Sequence, residues 1–174
     1  MLIRTALLIT IAAFSQWSFA APKQQAATEE KIHKAGDNYL VEKYNVFSPN
    51  NRMYQLVLND QNSDKKLIFE KKQQSDIVHV FASNLNKSHY VTRPISGKIQ
   101  IRFGDDDKLF DLTTSRHYIR PTLTRLSKDK DEDLFQRFQS KKVMYVKLNV
   151  LGKEHLLTVN LDESGQLLEI GTFL

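Results

Sequence analysis

Apolar and polar side chains alternate one for one along residues 98–103, with Ile99, Ile101 and Phe103 set against Lys98, Gln100 and Arg102. A period of two predicts a strand with one buried face. Residues 142–161 repeat the alternation on both sides of Gly152-Lys153 and predict a β-hairpin. A two-residue turn there places Leu151 against Glu154, Leu148 against Leu157, Val146 against Val159 and Met144 against Leu161. Lys147 then meets Thr158, and Tyr145 meets Asn160, on the other face. Slipping by one residue would turn the whole apolar set outward, so the parity of this hairpin is firmly specified.

Shorter runs rich in β-branched and aromatic residues predict further strands at about 39–47, 53–59, 66–71, 76–82, 88–93, 108–113 and 166–173. Asn, Asp, Ser, Gly and Lys separate them, and no internal repeat is present. Strands at this spacing predict a mainly β fold, a β-sandwich or barrel-like domain over residues 38–174. The expected core includes Ile99, Ile101, Phe103, Val146, Leu148, Leu157 and Val159. One short helix is expected near 131–141. Asp129 and Glu132 have the spacing of a capping box, Leu134, Phe135 and Phe138 share one face, and Lys141-Lys142 suit the negative end of the helix dipole.

The N-terminal residues follow a different pattern. Arg4 precedes an apolar run from Thr5 to Phe14, and Ser18 and Ala20 stand at −3 and −1 of a signal-peptide cleavage site. The run is shorter than the roughly 20 residues that a membrane span requires. An exported protein cut after Ala20 is expected, periplasmic or secreted, with no integral membrane segment after cleavage. Residues 21–37 are polar and read as a flexible leader, with a helical turn or two around Thr28–Lys34 stopped by Gly36.

Composition adds compartment more than chemistry. The chain has no cysteine, so thiolate catalysis and disulfides are excluded, as is a lipid-anchored cysteine at the cleavage site. Export without cysteine fits a bacterial periplasm better than an animal extracellular space. The net charge of +5 falls to +4 once Arg4 leaves with the signal, a mild excess that does not indicate nucleic acid. Asn86-Lys87-Ser88 matches a glycosylation sequon, a pattern common by chance.

Candidate chemistry is sparse. His33, His79, His89, His117 and His155 form no metal-ligand spacing, and His79 and His155 fall within strand patterns as hydrogen-bonded sheet residues. With six glycines and no Gly-x-Ser-x-Gly, a nucleophile elbow is absent. Gly104-Asp105-Asp106-Asp107-Lys108 lacks the alternate-position ligands of a calcium loop and reads as a solvated hairpin turn; Lys128–Asp133 reads as a helix start. No cofactor or metal is expected. The strongest binding signal is Arg116, His117, Arg120 and Arg125, interleaved with Tyr118 and Ile119, with Arg93 and Arg102 expected nearby. Arginines among aromatics suit an acidic protein surface, lipopolysaccharide phosphate or a glycan carboxylate.

From Gly97 to Gly171 the order of features resembles the invasion-associated-locus-B and type VI secretion accessory group of exported bacterial proteins. The matching pieces are Ile101-Arg102-Phe103-Gly104-Asp105, Leu134-Phe135-Gln136-Arg137-Phe138 and Val143-Met144-Tyr145-Val146-Lys147-Leu148. They correspond to a strand ending in Arg-Phe before an acidic turn, a short helix, and the start of a terminal hairpin. Gly104 stands in place of an expected aspartate, and the cysteines common in that group are absent. The resemblance implies a periplasmic β-rich accessory or binding protein. The expected function is therefore non-catalytic binding of an envelope or exported protein, as a secretion-system accessory. An immunity or inhibitor protein against an exported effector is the alternative, and an enzyme with a scattered active site the second.

Overall fold

The computed structural model describes residues 28–85, 98–104, 106, 108–113, 122–127, 129–150 and 153–173. Successive antiparallel hairpins build the larger sheet: β1 (Thr28–Ala35), β2 (Asn38–Asn45), β3 (Ser48–Asn59), β4 (Lys66–Lys72) and β5 (Ile77–Ser83) lie side by side in chain order. β8 (Thr122–Ser127) completes it as the sixth strand, against β5. Its inner face is a ladder of apolar pairs, Leu40 with Leu56, Leu56 with Phe69, Phe69 with Val80 and Val78 with Leu126. Cross-strand apolar pairs on one face are the unit of sheet stabilisation.

The smaller sheet has the order β10 (Lys153–Asn160), β9 (Val143–Val150), β6 (Lys98–Phe103) and β7 (Phe110–Thr113). Ile99 lies between Leu112 and Leu148, and Ile101 between Phe110 and Val146. All seven residues expected in the core are buried, and one cluster of buried side chains joins the two sheets. The expected mainly β fold is what the chain forms, as two antiparallel sheets rather than a closed barrel.

Helix α1 (Glu132–Ser140) turns Leu134, Phe135 and Phe138 inward. The Phe138 ring meets Phe69 of the larger sheet edge-on at 5.2 Å and Phe103 of the smaller at 5.3 Å, so a single side chain touches both layers. The capping box does not form. The helix starts at Glu132, and its N-cap is Asp131, whose carboxylate accepts from the Ser127 backbone N–H at 2.7 Å and holds the end of β8.

Several expectations are corrected. Residues 166–173 are not a strand: Ser164–Ile170 is a second helix, α2, with Ser164, Leu167 and Leu168 buried. Burial at i, i+3 and i+4 fits one face of a helix, and a strand would have sent adjacent leucines to opposite faces. Thr28–Ala35 is neither flexible leader nor helix but the edge strand β1. Gly36, φ +57°, occupies the first central position of the β1–β2 turn, where a positive φ is needed, rather than a helix stop. Only Ala35 of β1 is fully buried, so the strand lacks the apolar alternation that marks the others. β8 forms where the sequence pattern predicts no strand. The 142–161 hairpin is two residues out of the expected register: Leu157 pairs with Val146, Val159 with Met144 and His155 with Leu148. A shift of two preserves parity, so the inward set is unchanged. The strand expected at 88–93 lies outside the described residues.

Two buried side chains stitch the layers through polar contacts. Asn38 donates to the Asn160 carbonyl and to Ser164 Oγ, and its own carbonyl oxygen accepts from Asn59 N–H. Asp60 accepts from Thr158 N–H at 2.7 Å and from the Ser63 hydroxyl at 2.6 Å. At the C-terminus, Phe173 is fully buried, and Lys71 donates to the Thr172 carbonyl at 2.6 Å.

Candidate binding surface

Of the arginine cluster, Arg116, His117 and Arg120 lie outside the described residues, as does Arg93. Arg125 is described. It sits on β8, an edge strand of the larger sheet, is exposed, and lies opposite His79 of β5 on the outer face. The His79 ring stacks on Phe81 at 6.4 Å between ring centres, and Phe81 lies across from Ile68 of β4. Alternation makes this face: Val78 and Val80 point into the core, so His79 and Phe81 point out. A cation thus borders an aromatic and aliphatic strip at the sheet edge. Residues 114–121 connect β7 to β8, which are edge strands of the two sheets.

Arg102 is exposed on the outer face of the smaller sheet, its guanidinium 5.8 Å from the centre of the Tyr145 ring. The outer faces of two packed layers point away from each other, so Arg102 and Arg125 do not belong to one patch.

Asp106 of the acidic turn is paired within the fold. Asp106 pairs with Arg137 of α1 and lies 3.9 Å from Lys141, while Asp133 pairs with Arg137 and Lys108. Arg137 and Lys108 also lie over the Phe110 ring, at 5.7 and 5.0 Å. The turn and helix are therefore locked by charge, as a structural device.

The sequence reading missed the buried charges, Glu42 among them. Glu42 is buried in β2 and receives Arg52, with His33 Nε2 at 3.3 Å. Tyr44 donates to Glu29 at 2.6 Å; that hydrogen bond, and then the Glu29 charge, raise the phenol above its ordinary basicity. The signal was present in parity, because Glu42 shares the inward face of Leu40 two residues on.

His155 lies in β10 as expected of a sheet residue, is buried, and its Nε2 has no hydrogen-bond partner among the described residues. Burial first, and then Lys65 and Lys153, push its basicity down. An open depression of about 730 Å³ lies between α1 and α2, lined by residues such as Gln139, Lys141, Asp162 and Gly165. Among the described residues no group of three or more His, Asp or Glu side chains is placed to hold a metal, and no helix is long and apolar enough to cross a membrane. Comparison with known proteins finds no matching family model, no matching curated protein and no matching solved structure.

Proposed function

We propose that this protein is an exported, non-catalytic accessory that binds an acidic protein partner in the bacterial envelope through Arg125 on the β8 edge and the arginines that precede it in sequence, Arg116 and Arg120. The observation that carries this is Arg125, exposed at a sheet edge beside the stacked His79 and Phe81. Arginine flanked by aromatic surface is the composition of interface anchors, and four cationic or near-cationic groups within residues 116–125 favour carboxylates opposite them. Binding is preferred to catalysis because the charged groups the fold gathers, around Asp106 and around Glu42, are engaged with one another in ion pairs. Export rests on the pattern of residues 1–20.

The test combines mass spectrometry of the periplasmic fraction with partner capture. A mature N-terminus at Ala21 is expected, and retention of residues 1–20 would overturn the export assignment. Arg125→Glu, and the double variant Arg116→Glu with Arg120→Glu, should weaken capture and reduce its salt sensitivity while leaving the thermal midpoint nearly unchanged. Undiminished capture by folded variants would remove this edge as the interface. A captured toxic effector, in place of a component of a secretion machine, would make the protein an immunity factor.

A further inference from the structure

Sheet edges in this fold are unequal. β7 is only four residues long, and β8 carries a register irregularity against β5 between Val80 and Phe81. β10 is tied to the end of β3 through Asp60 and through Gln61 N–H, which donates to the Thr158 carbonyl at 2.8 Å. Shortness, bulges and covering contacts are the usual devices that prevent edge-to-edge pairing. β1 is neither short nor interrupted by a bulge among the described residues, and the device it carries is charge, Lys31 and Lys34 among its side chains. It pairs with β2 at all eight positions without a break, and it ends the sheet with Ile32 56% exposed on the outer face.

Its charges are ordered along the strand. Glu29 and Glu30 come first; Lys31, His33 and Lys34 follow. An antiparallel copy reverses that order and sets acidic residues against basic ones. A two-fold axis perpendicular to the sheet keeps outward residues outward, which restricts the register to pairs of the same parity. In the register centred on Ile32, that residue faces its own copy, and Glu30 faces Lys34 twice, all on the outer face. On the inner face Lys31 meets His33, whose ring is already held by Glu42. Shifting by two residues in one direction sets Lys31 against Lys31; shifting in the other sets His33 against His33 and separates the two isoleucines. One register therefore satisfies both charge and apolar contact.

We propose that β1 is a self-association edge: two copies of this chain join antiparallel through residues 29–35, forming one continuous twelve-stranded sheet centred on paired Ile32 residues. Ile32 pairs with Val41 within its own chain, so the seam carries a row of Val41, Ile32, Ile32 and Val41 across the outer face. Glu30 bridges Lys43 of its own chain at 2.9 Å and, across the seam, the second copy's Lys34. The β8 edge is left free for a different partner.

Sedimentation equilibrium of the full chain across a range of concentrations tests this, with circular dichroism as the check on folding. A dimer is expected, and a protein that stays monomeric at high micromolar concentration would overturn the proposal. Glu30→Lys and Lys34→Glu, taken singly, should each weaken dimerisation about tenfold, because like charges then face each other at the seam. Their combination restores opposite charges across the axis and should recover most of the wild-type dimer constant. Ile32→Asn, at a position already exposed in the monomer, should weaken the dimer without unfolding the chain. A dimer indifferent to Glu30→Lys, or singles that weaken it without rescue by the pair, would place the seam elsewhere and overturn the assignment.

Discussion

Asn38 Nδ2 donates to Ser164 Oγ at 2.9 Å, a buried hydrogen bond between residues 126 positions apart. Asn38 opens β2 and Ser164 opens α2, so this contact joins the second strand of the larger sheet to the C-terminal helix. The same amide also reaches the Asn160 carbonyl and the Asn59 N–H, and one side chain thereby satisfies backbone groups from both layers. Removing it orphans several buried polar groups at once. Asn38→Ala should therefore cost about 2–4 kcal/mol, and Ser164→Ala about 1 kcal/mol, in urea denaturation. The double variant should cost less than their sum, because both changes break one shared bond.

Leu148 is fully buried and stands between Ile99 of β6 and His155 of β10. Leu148→Ala should lower stability by about 2–5 kcal/mol, read as a shift of the denaturant midpoint at constant slope. Leu156→Ala is the control. It adjoins on the same hairpin, is 63% exposed, and should change stability by less than about 0.5 kcal/mol.

Gly171 follows α2 and packs against the C-terminal aromatic plug. A methyl group there would collide with the Phe173 ring and lie 3.1 Å from Leu40 Cδ1. Phe173 is fully buried and cannot swing away. Gly171→Ala should destabilise by about 1–3 kcal/mol, although its φ of −78° is one that alanine adopts without strain. Phe173→Leu in the alanine background should recover part of the loss by relieving the clash.

His155 binds a proton less readily folded than unfolded, because burial and the nearby Lys65 and Lys153 disfavour its cation. The unfolded chain then holds more protons in acid. Stability should be full above the ordinary histidine value of 6.5 and fall as pH drops below it. Urea midpoints compared at about pH 7.5 and about pH 5 test the slope, and His155→Leu should flatten it. An unchanged slope in that variant would assign the acid sensitivity to other groups.

Sequence alone determined the parts of this protein whose burial is one-sided and local. Ile99, Ile101 and Phe103, and the inward set of the 143–160 hairpin, declare their faces because alternate residues meet different solvents. The apolar face of α1 declared itself for the same reason, at a helical period. Only the tertiary structure decided the remainder. β1 is polar and still a strand, because its order comes from pairing with β2 rather than from a buried face of its own. Leu167-Leu168 is helical because both leucines must reach at once the core that also holds Leu40, a demand set in part by neighbours from the other end of the chain. Glu42 is buried only because Arg52 and His33 arrive to neutralise it. Arg125 and Arg102, grouped by composition, were sent to different faces by a topology that no count of arginines contains. Local periodicity records which way a side chain points; it carries no record of what comes to meet it.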